Sequence, residues 1–291
     1  MNRRNFLLAA AGATAAQAAS ATPQSPTAKA RFRSAICAYS FGDALKAKTM
    51  TYDDLVRLAV ETGVDGLDLT VYWFPDTSNE FLLPLRRLAY RMGVDIYSIS
   101  VRTDMCQPTA ELRDKEVAEI RKWVDAADKL SATHIRVFGG RVPKEATEDA
   151  AAGWVVETLK RGAQYAGSKG IILGIENHGG ITEHASRVID IVKRVDSPWV
   201  GINLDTGNFR EKVLEQIEMC LPYAVNTQVK AEMRAEDGTR GAADWDRIFA
   251  MFARHGYHGY MALEYEAKED PSVAVPRLCK RLCELARKYS A

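Results

Sequence analysis

Residues 171–180 read IILGIENHGG, an apolar run that ends in a carboxylate, a carboxamide and an imidazole. A buried strand that delivers a site has this order: the apolar part is covered on both faces, and polar groups wait for its end. Three later stretches repeat it, at 200–208 (VGINLDTGN), 225–232 (VNTQVKAE) and 260–266 (YMALEYE). Helical stretches separate one from the next, so the chain is built to bring Glu176, Asp205, Gln228 and Glu264 together.

Working outward, the same alternation extends toward the N-terminus. Strands are expected over 35–41, 66–71, 95–101, 134–138, 171–176, 200–205, 225–230 and 260–264. The helix over 52–62 opens with Thr51 as N-cap and Asp53-Asp54 in its first turn, which suits the helix dipole. Over 111–130, Leu112, Val117, Ile120, Val124, Ala127 and Leu130 fall near one face at helical spacing, and Val275, Leu278, Leu282 and Leu285 do the same after Pro271. Eight strands each followed by a helix fit a single-domain α/β fold, a (β/α)8 TIM barrel, better than an open doubly wound sheet. A dinucleotide fold would also want GxGxxG after its first strand, where this chain has Tyr39-Ser40-Phe41-Gly42-Asp43.

In such a barrel the chemistry sits at the C-terminal mouth of the strands. Glu176, Asp205, Gln228 and Glu264 would end strands five to eight, and neighbouring strands are about 4.8 Å apart, so their side chains can converge on one ion. Three acids so placed repel one another unless something cationic neutralises them, and a divalent metal is the economical answer.

The N-terminus is read separately. Arg3-Arg4, then Asn5-Phe6-Leu7, an Ala-rich apolar run and AQA and ASA sequences make 1–21 a twin-arginine export signal, too short for a membrane span. An exported or periplasmic protein is therefore expected, with 22–33 as a linker and the barrel over 34–291. No later apolar run is long enough to cross a membrane. The formal net charge of +1 points to no nucleic-acid partner. Five cysteines without CxxC spacing read as packing thiols rather than a disulfide framework or a zinc site.

In GIENHGG, VGINLDTGNF and GYMALEYE the chain resembles the xylose isomerase-like TIM barrels known as sugar phosphate isomerase/epimerases, over nearly all of the mature part. The family includes ketose epimerases, hydroxypyruvate isomerase, inosose dehydratase and, more distantly, endonuclease IV. The resemblance implies a divalent metal held by a Glu, an Asp, a His and a second Glu, with the two glutamates moving protons. By motif these fall on Glu176, Asp205, Gln228 and Glu264. Two departures stand out. Gln228 replaces the metal-binding His, which makes the ligand set oxygen-only and favours Mn²⁺, Mg²⁺ or Ca²⁺ over Zn²⁺, or else the metal has been lost. Asn208 stands where the epimerases have a substrate-touching His; it can bind a sugar hydroxyl but cannot carry a proton.

Other candidates have more than one reading each. His178 shares a face with Glu176 and is an acid, a substrate donor or a hydrogen-bond support. Lys230 stabilises an enolate oxygen or neutralises Glu176 or Glu232. Arg136, with His134 on the same strand face, is an interior counter-ion or a substrate contact. Trp73 stacks on a sugar or packs on the surface. The reaction expected is proton abstraction beside a carbonyl through an enediolate, with a small carbohydrate as substrate. If a β-substituent leaves, the same site is an exported lyase or dehydratase acting on a 3-keto sugar or glycoside. A non-catalytic sugar-binding barrel is the rival of another class, and a nuclease is disfavoured by five His and near-neutral charge. A homo-oligomer is compatible with the sequence.

Overall fold

The computed structural model describes residues 29–290 except 236. Eight parallel strands close into a barrel: β1 (Arg31–Cys37), β2 (Gly66–Thr70), β3 (Asp95–Ser100), β4 (His134–Phe138), β5 (Ile172–Glu176), β6 (Val200–Asp205), β7 (Ala224–Lys230) and β10 (His258–Glu264). A small antiparallel hairpin, β8 (Glu232–Arg234) with β9 (Arg240–Ala242), follows β7 and was not foreseen. Around the barrel lie α1 (Gly42–Lys46), α2 (Tyr52–Thr62), α3 (Asn79–Met92), α4 (Ala110–Leu130), α5 (Glu148–Ser168), α6 (Ala185–Val195), α7 (Val213–Cys220), α8 (Trp245–Arg254) and α9 (Pro271–Tyr289). Among the described residues no helix is long and apolar enough to cross a membrane.

The expected helix starts are present. At α2 the Thr51 hydroxyl accepts from the Asp54 N–H at 3.2 Å while the Asp54 carboxylate accepts from the Thr51 N–H at 2.9 Å, a capping box. In α4 Val117, Ile120, Val124, Ala127 and Leu130 are buried as the spacing predicts, but Leu112 lies in the first turn and stays exposed. All five cysteines are buried and free, consistent with packing thiols.

The first strand corrects a boundary. β1 begins at Arg31, inside the segment expected as linker, because the Arg31 N–H donates to Tyr257 O at 3.1 Å and Phe32 packs edge-on against Phe249. The twin-arginine segment 1–21 lies outside the described residues.

Each strand alternates between two environments. Residues such as Ile36, Leu69, Ile99, Val137, Ile175, Leu204 and Val229 join the apolar core shared with the helices. Their neighbours point inward and are mostly polar: Asp68, Ser98, Ser100, His134, Arg136, Glu176, Asn203, Asp205, Asn226, Gln228, Lys230 and Glu264 are all buried. Tyr97 and Tyr260 close the N-terminal end, stacked with centroids 3.6 Å apart.

Candidate functional site

The strand register decides which groups meet. Asp205 is level with Gln228, Glu264 with Lys230 and Glu176 with Asn203. The four residues expected at one site are therefore together at the mouth, but they do not face one another across an open space. Two cations lie among them. The Lys230 ammonium stands 3.2 Å from Asp205 Oδ2, donates to Glu264 Oε2 at 2.5 Å and also bonds the exposed Glu266. Arg136 Nε stands 2.9 Å from Glu176 Oε2, with both side chains almost wholly buried.

Lys230 thus neutralises Asp205, Glu264 and Glu266, rather than Glu176 or Glu232; Glu232 is held by Arg240 at 3.2 Å. Its stem rests on Gly207 of the DTGN turn, where a Cβ would come within 2.6 Å of Lys230 Cγ. Arg136 is the interior counter-ion of Glu176; its Nη1 donates to Tyr72 OH at 3.0 Å and to Val101 O at 3.1 Å. His134 on the same strand bonds Ser98 Oγ at 2.8 Å, and burial, then Arg136, lower its pKa to about 3.

Gln228 is held from both sides. Its Oε1 accepts from Asn203 Nδ2 at 2.8 Å, and its Nε2 donates to Asp68 Oδ2 at 3.2 Å. The chain of bonds continues downward, since Asn226 Nδ2 donates to Asn203 Oδ1 at 2.8 Å and Tyr97 OH donates to Asn226 Oδ1 at 3.1 Å. Upward, Asp68 Oδ1 accepts from Ser100 Oγ at 2.8 Å. An ionised Asp68 only accepts, so it orients the Gln228 amide and, through it, the two asparagines.

Asn208 Nδ2 donates to Glu176 Oε1 at 3.0 Å, so it supports the glutamate. Asn177, the amide of GIENHGG, ties β5 to β6 by bonds to the Asp205 N–H and C=O at 2.8 and 2.9 Å. His178 follows the end of β5 and is exposed, and its ring lies against Phe138 with centroids 4.2 Å apart. Desolvation by the surrounding atoms, then the charge of Arg136, lower its pKa to about 4 and keep it neutral. Trp73 stacks on Tyr39 at 5.9 Å and meets Tyr72 edge-on at 5.8 Å, so these rings form one aromatic wall.

Charge does not balance among the buried groups. Asp68, Glu176, Asp205 and Glu264 face only Arg136 and Lys230, so four carboxyls share two cations. Burial, against the opposing charge of Lys230 and with Glu264 nearby, raises Asp205 to about 7. Glu176 goes up well above the usual carboxylate range for the same reason, burial first, with Asp205 and Glu264 adding to it against Arg136. Glu264 goes the other way: burial would raise it, but Lys230 outweighs burial and holds it ionised. Burial works against the Lys230 ammonium too, yet Asp205, Glu264 and Glu266 keep it firmly charged.

The donors suit a hard divalent cation in kind: three buried carboxylates and a buried amide oxygen. They suit it in charge as well, since the buried deficit is two. As the side chains lie, no three His, Cys, Asp or Glu groups among the described residues are gathered as metal ligands, because Lys230 and Arg136 hold the carboxylates.

Sequence reasoning missed Asp68, Asn203, Tyr39, Tyr72 and Glu266. Glu266 had a signal in the two-residue step beyond Glu264; Asp68 and Asn203 lay inside apolar runs and had none beyond strand parity.

Residues 56–285 match the family model described as xylose isomerase-like TIM barrel. A putative hydroxypyruvate isomerase of Mus musculus is 27% identical over 174 residues, which is 50% of this chain and 57% of that protein. The fold is similar to that of D-psicose 3-epimerase from Clostridium cellulolyticum, with a TM-score of 0.69 and 18% identity over 89% of this chain and 98% of the other. It is also similar to a sugar phosphate isomerase/epimerase from Parabacteroides distasonis, at TM-score 0.67 and 17% identity, covering 91% of this chain and 97% of that one. A barrel closed by eight parallel strands, carrying its acids at the ends of the later ones, thus agrees with the family match, and the chain belongs to the xylose isomerase-like TIM barrel family.

Proposed function

We propose that the chain is a divalent-metal-dependent sugar isomerase or epimerase that moves a carbon-bound proton next to a carbonyl. One observation carries this reading: two glutamates of one buried cluster are each held by a different cation, Glu176 by Arg136 at 2.9 Å and Glu264 by Lys230 at 2.5 Å, and their surroundings push Glu176 up and Glu264 down. A pair of carboxyls set apart in this way supplies a base and an acid at the same pH. Glu264, kept ionised by Lys230, takes the proton from the carbon beside the carbonyl. Glu176, which keeps its proton, returns one to the other face of that carbon for an epimer, or to the neighbouring carbon for an isomer.

The remaining residues hold this pair in place. Lys230 spends its protons on Asp205, Glu264 and Glu266, so it orders the base instead of reaching an enolate oxygen. Asn208 and Arg136 fix the two oxygens of Glu176. The wall of Tyr39, Tyr72 and Trp73 offers apolar ring faces for the C–H face of a sugar.

In this reading Glu176, Asp205, Gln228 and Glu264 would hold Mn²⁺ or Mg²⁺, which polarises the sugar carbonyl and acidifies the adjacent C–H. Within the buried cluster four carboxyls face two cations, and Glu176, raised well above the usual range, retains a proton. That is the proton a two-glutamate relay needs.

The same retained proton favours a second reading. If the substrate carries a leaving group β to the carbonyl, as in a 3-keto glycoside, Glu176 protonates the departing oxygen and the site is a lyase. A panel of free, phosphorylated and 3-keto sugars, with and without Mn²⁺ and followed by NMR, separates the two. An isomer or epimer as product supports the first reading and an unsaturated product the second; no conversion of any member in either condition counts against both.

A further inference from the structure

Beside the buried cluster, the loops after β3, β4, β5 and β6 line an open cavity of about 550 Å³ that includes the HGG end of GIENHGG and none of the clustered acids. Its floor is bare backbone. Gly140 has φ +99° and a Cβ there would collide with Asp104 Oδ1, while a Cβ on Gly180, at φ +56°, would collide with Gly140 O. The walls are tied to each other: the Ile181 N–H donates to Gly140 O at 3.1 Å, the His178 N–H to Thr182 Oγ1 at 3.1 Å and Thr103 Oγ1 to Phe138 O at 2.7 Å. The space is therefore built into the fold.

The charged side chains lining it are Arg102, Arg141 and Arg210, against Asp104 alone. Among the described residues neither Arg102 nor Arg141 is paired with a carboxylate; Arg102 lies over the Tyr72 ring at 4.4 Å, and Arg210 stands 3.7 Å from Glu183. The whole chain carries a formal net charge of only +1, so this excess is local. A concave surface with one sign of charge concentrates ions of the other sign, and guanidinium forks match the oxygens of carboxylates and phosphates.

Its position relates it to the chemistry. The Phe138 ring carries the Arg136 guanidinium at 4.1 Å and the His178 ring at 4.2 Å. One aromatic ring therefore links the counter-ion of Glu176 to the cavity. The cavity thus opens beside the counter-ion of Glu176, on the side of the mouth that Phe138 and His178 line.

We propose that this cavity is an anion subsite, and that the substrate of the proposed sugar enzyme carries a carboxylate or a phosphate that sits between Arg102, Arg141 and Arg210. The proposal rests on the sugar reading above, but its test needs no turnover. Calorimetric titration of the folded protein with glucose, glucuronate and glucose 6-phosphate compares a neutral hexose with its carboxylate and phosphate forms. Wild type should bind at least one of the anionic pair at least about tenfold more tightly than glucose, a step of the size a single charge-assisted contact supplies. The preferred member tells carboxylate from phosphate. Arg141→Gln with Arg210→Gln should abolish the advantage and leave weak glucose binding unchanged, with the circular dichroism and melting temperature of wild type showing that the variant folds. Equal affinity for all three, no binding of either anion by wild type, or an anion advantage that survives the double variant would overturn the proposal. Failure of proton exchange with a reacting sugar would instead strike the mechanism and leave this binding result standing.

Discussion

Lys230 and Glu264 are registered opposite each other on adjacent strands, and the lysine ammonium donates to Glu264 Oε2 at 2.5 Å inside the barrel. This contact sets the charge of the proposed base, because burial alone would push Glu264 upward. Replacing the ammonium with a neutral group should let burial win.

Lys230→Gln should move the acid limb of the pH–rate profile to higher pH and lower turnover at neutral pH by about 10² to 10⁴-fold, the usual range for losing a general base. It should also destabilise the fold by about 3–5 kcal/mol, since the carboxylates lose a buried partner. An unshifted acid limb in a folded variant would separate Lys230 from the base.

Ion uptake should be coupled to proton release. Asp205, raised to about 7, must give up its proton when a cation enters. The apparent affinity for Mn²⁺ should therefore rise from about pH 6 to about pH 8, at about one ion per chain, and Asp205→Ala should lose the ion. Calorimetry in buffers of different ionisation enthalpy reads both quantities. A pH-independent affinity, or an ion that persists in Asp205→Ala, would contradict the ligand set.

The stability of the ion-free protein carries the same signature. A carboxyl raised on folding is protonated in the native state at pH values where the unfolded chain has already released its proton. Its effect is thus absent below the ordinary Asp value of 3.8 and becomes a growing penalty as pH rises toward about 7. Removing that carboxyl removes the penalty. With chelator present, the stability of Asp205→Asn relative to wild type should improve as pH rises through that window, by at most about 1.4 kcal/mol per pH unit. Denaturant titrations at several pH values check it; a flat difference would show that Asp205 titrates normally.

Gln228→His should shift metal preference toward Zn²⁺ or Co²⁺, the softer choice for imidazole. It also breaks the bonds to Asn203 and Asp68, so a cost of about 1–3 kcal/mol is expected from the buried groups left unpaired. Competition between Mn²⁺ and Zn²⁺ on the folded variant decides it, and unchanged relative affinities would place Gln228 away from the ion.

Much of the barrel was legible because its strands are continuous apolar runs that stop at polar residues, and because Thr51 and Asp54 announce a helix start by local chemistry alone. The convergence of Glu176, Asp205, Gln228 and Glu264 followed from four such runs in succession. What the runs hid was the interior. Asp68 in GLDLT and Asn203 in VGINLD look like interruptions of apolar strands, and only closure of the barrel shows that their parity turns them inward. The cations were harder still. Arg136 and Lys230 were seen as candidates, but which carboxylate each one meets depends on register between strands far apart in sequence, and the shift between Ile202 and Asn203 alters it by one residue. His178 lies beyond the end of β5 at Glu176, where the two-residue rule of an extended chain no longer fixes which way a side chain points.

The central claim is that Glu264 and Glu176 move a proton on carbon, and deuterium incorporation tests it most directly. With each sugar that the panel shows to react, an NMR time course in D₂O should show solvent deuterium entering at the carbon next to the carbonyl with wild type. Glu264→Gln keeps the side-chain shape and an amide oxygen but cannot accept the proton, so it should still bind that sugar while turnover falls by about 10² to 10⁴-fold or more. Turnover by wild type with no deuterium in the carbon skeleton, or near-normal turnover by Glu264→Gln, would contradict the account.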